Sequence, residues 1–288
     1  MHRCDSERVA QLSAAVSAVT AVPAPGSELS CPAAEDLAVV AENYGQMTGV
    51  LAGFAFTALV FLLAPQGARR VSGSAPLALL VTFINLVIAT LLYSVQAGQG
   101  NDVAFGRLAA IELIDGLVFG VAVLLLFHGI TELMLSADLE ERTVRVSRAM
   151  TVVVVPALAM YFMAEGAADT GTARLRQAGV CELAQVPRLG QFLTLALVVI
   201  LAAALTRRGQ KVVRVITPAN DAAGPTFVLA IGVVGAIVSG NLNVRSPGFL
   251  MSERSISVYL LLAFGVLLAA ALILSRTEDL HQKQTRKR

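Results

Sequence analysis

Two carboxylates stand three residues apart inside an apolar run, Arg107-Leu-Ala-Ala-Ile-Glu112-Leu-Ile-Asp115-Gly116-Leu-Val-Phe-Gly120. On a helix, Glu112 and Asp115 share one face. At ~1.5 Å of rise per residue, Asp115 sits roughly 10 Å below Leu108. Charged side chains at such depth in a membrane are costly, face the interior of a bundle, and mark function. Two carboxylates held close together push their pKa values apart, and one tends to keep its proton. A retained proton in a dry site is a general acid. The alternative is that both acids lie at headgroup level with Arg107 as their partner.

Other polar residues fall at the same end of the apolar runs. Glu42 and Gln46 stand four apart at the start of the first run, and Tyr93 and Gln96 close the second. Tyr161 and Glu165 close the fourth, Asn241 and Asn243 the sixth, and Ser255 and Tyr259 open the seventh. All four tyrosines (Tyr44, Tyr93, Tyr161, Tyr259) map to this end. They read as one outward-facing pocket, with Glu112, Asp115 and Glu165 as candidate catalytic residues. Glu42, Gln46, Tyr93, Tyr161, Asn241 and Tyr259 are the candidate substrate-binding residues. The alternative is an aromatic belt, although a belt decorates both interfaces. Gly49 with Gly53, and Gly116 with Gly120, have the GxxxG spacing that lets helices approach closely. The second motif follows Asp115 directly. His128 and Glu132 form a further pair near the opposite end of the third run; either a proton relay or a hydrogen-bonded interfacial pair fits. His128 is the one histidine within an apolar run, so no haem or zinc ligand set is expected and no cofactor is called for. The seventh run has no lysine for a retinal Schiff base, and no phosphate-binding loop or nucleophile elbow is found. Pro156 is expected to kink the fourth run, and Asn85 to bond a neighbouring helix.

The elements that position these residues follow from composition. Of 288 residues, 56% are hydrophobic and 15% charged, and mean hydropathy is +0.72. Soluble domains carry about 25% charged residues, so a single soluble core is excluded. A net charge of +2 excludes a nucleic-acid partner. Membrane-crossing helices need about 20 mostly apolar residues. Seven runs qualify, at 47–64, 76–97, 108–135, 149–168, 191–206, 225–244 and 257–275; the fifth is short. The expected fold is all-α, a polytopic integral membrane protein of the cell membrane with seven transmembrane helices. Residues 1–45 form a polar extracytoplasmic N-terminal segment, 46–275 the bundle, and 276–288 a basic cytoplasmic tail lying against anionic lipid. Ser30-Cys31-Pro32, followed by Glu35 and Asp36, reads as a helix start, which places the beginning of the first helix near Pro32. Residues 1–45 hold no compact apolar stretch of the signal-peptide kind. Fourteen of the 22 Lys and Arg fall in the loops after runs one, three and five and in the tail. That asymmetry places the N-terminus out and the C-terminus in. Cys4, Cys31 and Cys181 then share the oxidising side, and a Cys31–Cys181 disulfide is one possibility, three unpaired thiols the other.

In helix count, chain size and the acidic pair Glu112/Asp115, the chain resembles the small seven-helix integral membrane terpene cyclases. Its lack of Trp departs from the aromatic richness of that family. The resemblance implies an enzyme that protonates an alkene or epoxide of a lipophilic prenyl substrate with a membrane-buried carboxylic acid, while aromatic faces steady the cation. Two further readings stand beside it. One is a small proton-coupled transporter, with Glu112, Asp115, His128 and Glu132 along one helix. The thirteen residues from Asp115 to His128 span roughly 20 Å, too far for direct transfer without water or other side chains. The odd helix count and absence of a repeat also set it apart from inverted-repeat transporters. The other is a non-catalytic sensor or assembly protein using the N-terminal segment and the loop at 169–190.

Overall fold

A computed structural model describes residues 37–64, 74–99, 101–137, 139–217, 220 and 222–285, all within the compact unit Glu35–Arg288. The described residues are helical and contain no strand. The helices are α1 (Leu37–Leu63), α2 (Ser74–Ala97), α3 (Asn101–Ser136), α4 (Glu141–Ala149), α5 (Val155–Gln177), α6 (Arg188–Ala204), α7 (Arg207–Ile216), α8 (Ala223–Asn243) and α9 (Glu253–Thr285). Cys4, Cys31, Pro32, Glu35, Asp36, Arg69 and Arg70 lie outside the described residues, as does the end of the basic tail at 286–288.

Six segments are long and apolar enough to cross a membrane, or seven if one bent pair counts as a single span. The pair is the segment expected at 191–206. There the apolar stretch is 17 residues (Arg188–Ala204), and the chain then turns by 100° into α7. Thr206 caps α7, its hydroxyl accepting from the Gly209 N–H at 3.2 Å. The physical reason for the break is composition: Arg207, Arg208, Lys211 and Arg214 interleave with Val212, Val215 and Ile216. That pattern makes an amphipathic helix suited to lie along an interface rather than cross it.

The first helix begins ten residues before the apolar run at 47–64. Its buried stripe Leu37, Ala41, Gly45, Thr48, Ala52, Ala55 and Leu59 keeps three- and four-residue spacing throughout. Glu42, Asn43 and Gln46 interrupt the apolar run but fall on the exposed face, so they do not interrupt the stripe. At the other end of the chain, α9 continues past Ser275 to Thr285. Pro156 has no N–H to offer the carbonyl of Val152 and would clash with it in a regular helix. The chain responds with a π-helical turn, Met150–Val154, just before α5, closed by the Val155 N–H bonding to Met150 O.

The helix α3 is the centre of the bundle. It packs against α1, α2, α5, α8 and α9, and its span is the most buried of the six. Between lipid-embedded helices there is little hydrophobic drive, so close packing of small residues decides neighbours. A Cβ on Gly120 would lie 2.9 Å from Ala159 Cβ, and one on Gly116 would lie 2.5 Å from Met163 Cε. The second GxxxG motif therefore seats α5 against α3 beside Asp115. The first does no such work at Gly53, which has nothing within 4 Å. The outer surface is apolar: Phe54, Phe61 and Phe192 are 65%, 71% and 67% exposed, which suits a lipid solvent.

Candidate functional site

Asp115 is fully buried at the contact of α3 with α8. The hydroxyl of Ser239, also fully buried, faces its carboxyl. Beyond that Ser239 contact, the Asp115 carboxyl has no hydrogen-bond partner among the described residues. A buried polar atom without a partner costs about 1–3 kcal/mol, and one hydroxyl cannot satisfy both carboxyl oxygens. A catalytic role is one of the recognised reasons for such a cost in a native protein.

Two phenols lie within electrostatic range of Asp115, those of Tyr93 on α2 and Tyr259 on α9. The Tyr259 hydroxyl donates to the Leu113 carbonyl and also approaches Met163 Sδ at 3.4 Å. That contact fixes its ring beside the α3 turn that carries both acids. Tyr93 is buried and stacks on Tyr44, with ring centroids 5.4 Å apart and planes at 20°. Phe119 meets Tyr44 edge-on at 6.0 Å. Glu112 is half-buried and lies within electrostatic range of Tyr44 and Tyr93. The acids thus adjoin a cluster of aromatic rings, with α1, α2 and α9 each supplying a phenol.

Arg107 is committed elsewhere. Its Nη2 donates to Gln99 Oε1 at 2.8 Å, and its Nη1 to Arg245 O at 2.7 Å and Asn243 O at 3.4 Å. Gln99 Nε2 in turn donates to Asn243 Oδ1. This network ties the α2–α3 turn to the end of α8, above the acids. Gln96 Nε2, one turn before, donates to the Leu108 carbonyl at 3.3 Å.

The remaining candidates stand apart from this cluster. Tyr161 is 46% exposed and interacts with Glu165 one turn on, its ring edge-on to the exposed Phe162. Glu42 and Gln46 are exposed and bond each other at 3.4 Å. Asn241 is exposed and donates to the Ile237 carbonyl at 2.7 Å. The structure therefore joins Glu112, Asp115, Tyr93 and Tyr259 and leaves Glu42, Gln46, Tyr161, Glu165 and Asn241 outside. Tyr44, read from the sequence into the same pocket as the other tyrosines, belongs to the cluster, as do Ser239 and Phe119, which sequence reasoning did not select. The signal for Ser239 was present: Gly232, Gly235 and Ser239 follow three- and four-residue spacing, a buried small-residue face.

A second polar centre lies near the far end of α3. Glu132 and His128 are both 1% exposed, and Ser74 Oγ donates to Glu132 Oε2 at 3.3 Å. Thr131 bonds Ser147 at 2.8 Å and Thr151 at 3.1 Å. Beside them a cleft of about 360 Å³ is lined by Met134, Arg142, Thr143, Val146 and Ser147. Among the described residues, no three His, Cys, Asp or Glu side chains converge as a metal site. Comparison with protein families, curated proteins and solved structures finds no match to this chain.

Proposed function

We propose that this chain is a multi-pass cell-membrane enzyme in which Asp115, in its protonated form, is the acid of a reaction on a lipophilic, prenyl-type substrate. The observation that carries the reading is the buried carboxyl of Asp115, faced by the Ser239 hydroxyl and lying beside the phenols of Tyr93 and Tyr259. The Oδ–H proton would pass to one carbon of a substrate double bond, leaving a cation on the other carbon. The aromatic faces of Tyr44, Tyr93 and Phe119 would stabilise that cation by cation–π attraction. A second double bond of the substrate attacks that cation, forming the carbon–carbon bond of the ring and moving the positive charge to its own far carbon; loss of a proton from a carbon next to that centre, back to the Asp115 carboxylate, closes the cycle with no net oxidation. Glu112 adds negative potential beside the developing cation. The product would be a cyclised isomer of the substrate.

The test is conversion of prenyl alcohols, prenyl epoxides and prenylated aromatics by membranes containing the full chain. Asp115→Asn is expected to lower turnover by about 10²-fold or more, with helicity and detergent-phase behaviour unchanged. Undiminished turnover in Asp115→Asn, or no turnover of any of these substrates by the unaltered chain, overturns the proposal.

A further inference from the structure

The apolar helix α6 ends at Ala204 after 17 residues, a rise of roughly 25 Å against a hydrocarbon core of about 30 Å. A crossing by α6 therefore stops at the edge of the hydrocarbon, and α7 starts there after a turn of 100°. Three features build that turn. Thr206 caps the new helix through the Gly209 N–H. Gly209 lies so close to the end of α6 that a Cβ there would overlap Ala203 O and stand 2.7 Å from Ala204 Cα. At the far end of α7, Arg276 of α9 donates from Nη1 to the Arg214 carbonyl at 2.8 Å and to Thr217 Oγ1 at 3.4 Å. A cation at that end also suits the negative pole of the helix dipole. The helix α7 is thus held at both ends, packed on α6 and α9, and lies across the direction of α6.

The faces of α7 are sorted. Val213 is buried against the bundle, and Thr217 just beyond the helix is buried too. Arg208, Lys211 and Arg214 are exposed. So are Val212, Val215 and Ile216, at 57%, 86% and 70%. At about 100° per residue, the three cations cover an arc of about 120° and the three apolar residues an adjoining arc of about 100°. Val213 lies across the helix from Lys211. No Asp or Glu occurs between Glu182 and Asp221. On α9 two acids, Glu278 and Asp279, follow Arg276, against the four cations Arg208, Lys211, Arg214 and Arg276. The exposed side of α7 therefore asks for two things at once. Its apolar residues need hydrocarbon, and its cations need negative oxygens at the reach of their stems. Long cationic side chains meet both by laying the stem on hydrocarbon and keeping the head at the headgroup level. A lipid phosphate with its acyl chains supplies both; a soluble anion supplies the charge alone.

We propose that α7 is a docking surface for anionic phospholipid, with Val212, Val215 and Ile216 among the acyl chains and Arg208, Lys211 and Arg214 on the phosphates. A basic amphipathic helix binds by buried apolar area together with attraction to anionic lipid, and anionic headgroups draw each nearby Lys or Arg. Arg276 is the strut that fixes α7, since its guanidinium reaches the Arg214 carbonyl. The surface uses neither Asp115 nor a prenyl substrate, so it stands or falls separately from the acid reading.

The experiment places the full chain in a neutral detergent with equal amounts of dioleoylphosphatidylglycerol and dioleoylphosphatidylcholine, and native mass spectrometry counts the lipid retained. The unaltered chain is expected to retain phosphatidylglycerol about fivefold or more over phosphatidylcholine, the pull of at least one cation. Added salt is expected to weaken that preference. Arg208→Gln/Lys211→Gln/Arg214→Gln is expected to bring it close to one. Arg188→Gln/Arg245→Gln/Arg254→Gln, which removes as many exposed cations from the other end of the bundle, is expected to keep it. Circular dichroism and gel filtration are expected to be unchanged in both variants. Excess glycerol phosphate, which carries the charge without acyl chains, is expected to displace no lipid. Any one of four results overturns the proposal: no preference in the unaltered chain, a preference that salt leaves intact, a loss in the α7 variant no greater than in the other, or displacement by glycerol phosphate.

Discussion

The hydroxyl of Ser239 faces the carboxyl of Asp115 across the α3–α8 contact, and both side chains are fully buried. Two polar groups buried in this way hold a cost that an apolar pair would not. Replacing such groups by apolar ones of similar volume is often neutral or stabilising. The double variant Asp115→Leu/Ser239→Ala is therefore expected to melt at the same temperature as the unaltered chain, or higher, by about 1–2 kcal/mol of stability. Thermal unfolding in detergent measures it. A marked loss of stability would mean that the pair serves the fold.

The two GxxxG motifs predict opposite outcomes. A side chain at Gly120 would press on Ala159, whereas one at Gly53 meets open space. Gly120→Val is expected to cost about 1–3 kcal/mol by overpacking, and Gly53→Val close to nothing. Parallel melting curves in one detergent decide it; equal losses at both positions would count against the α3–α5 packing.

Arg107 clamps Gln99 and the carbonyls of Asn243 and Arg245 together. A guanidinium fork reaches these acceptors at once, and an ammonium does not. Arg107→Lys is therefore expected to behave as Arg107→Ala does, losing about 1.5–3 kcal/mol of charge-assisted hydrogen bonding. Faster hydrogen exchange at the end of α8 and in residues 244–252 is the readout. Protection unchanged in both variants would place the clamp elsewhere.

Pairing of Cys31 with Cys181 is a separate expectation, since Cys31 lies outside the described residues and Cys181 sits in the segment 178–187. It predicts a mobility difference between reduced and non-reduced chain on a denaturing gel, removed by Cys181→Ala. A difference that survives Cys181→Ala excludes this pairing.

The apolar runs, the inward face of Asp115 and the helical phase of Glu112 with Asp115 were legible from residue order. Each depends on local quantities, namely run length, rise per residue and the period of one helix. Tyr93 and Tyr161 show where that information stops. Both close an apolar run at the same level, but Tyr93 is buried on Tyr44 and Tyr161 is 46% exposed. Which face a lipid-embedded helix turns inward is set by packing against neighbours, not by a hydrophobic stripe, because its lipid side is as apolar as its protein side. The same reason hid the meeting of Asn85 with Gly232 and of Ser239 with Asp115. The order of residues determined that this chain is a set of membrane-length helices, one of which carries acids within its apolar run. Only the tertiary arrangement of α2, α3 and α8 decided which polar atoms those acids face.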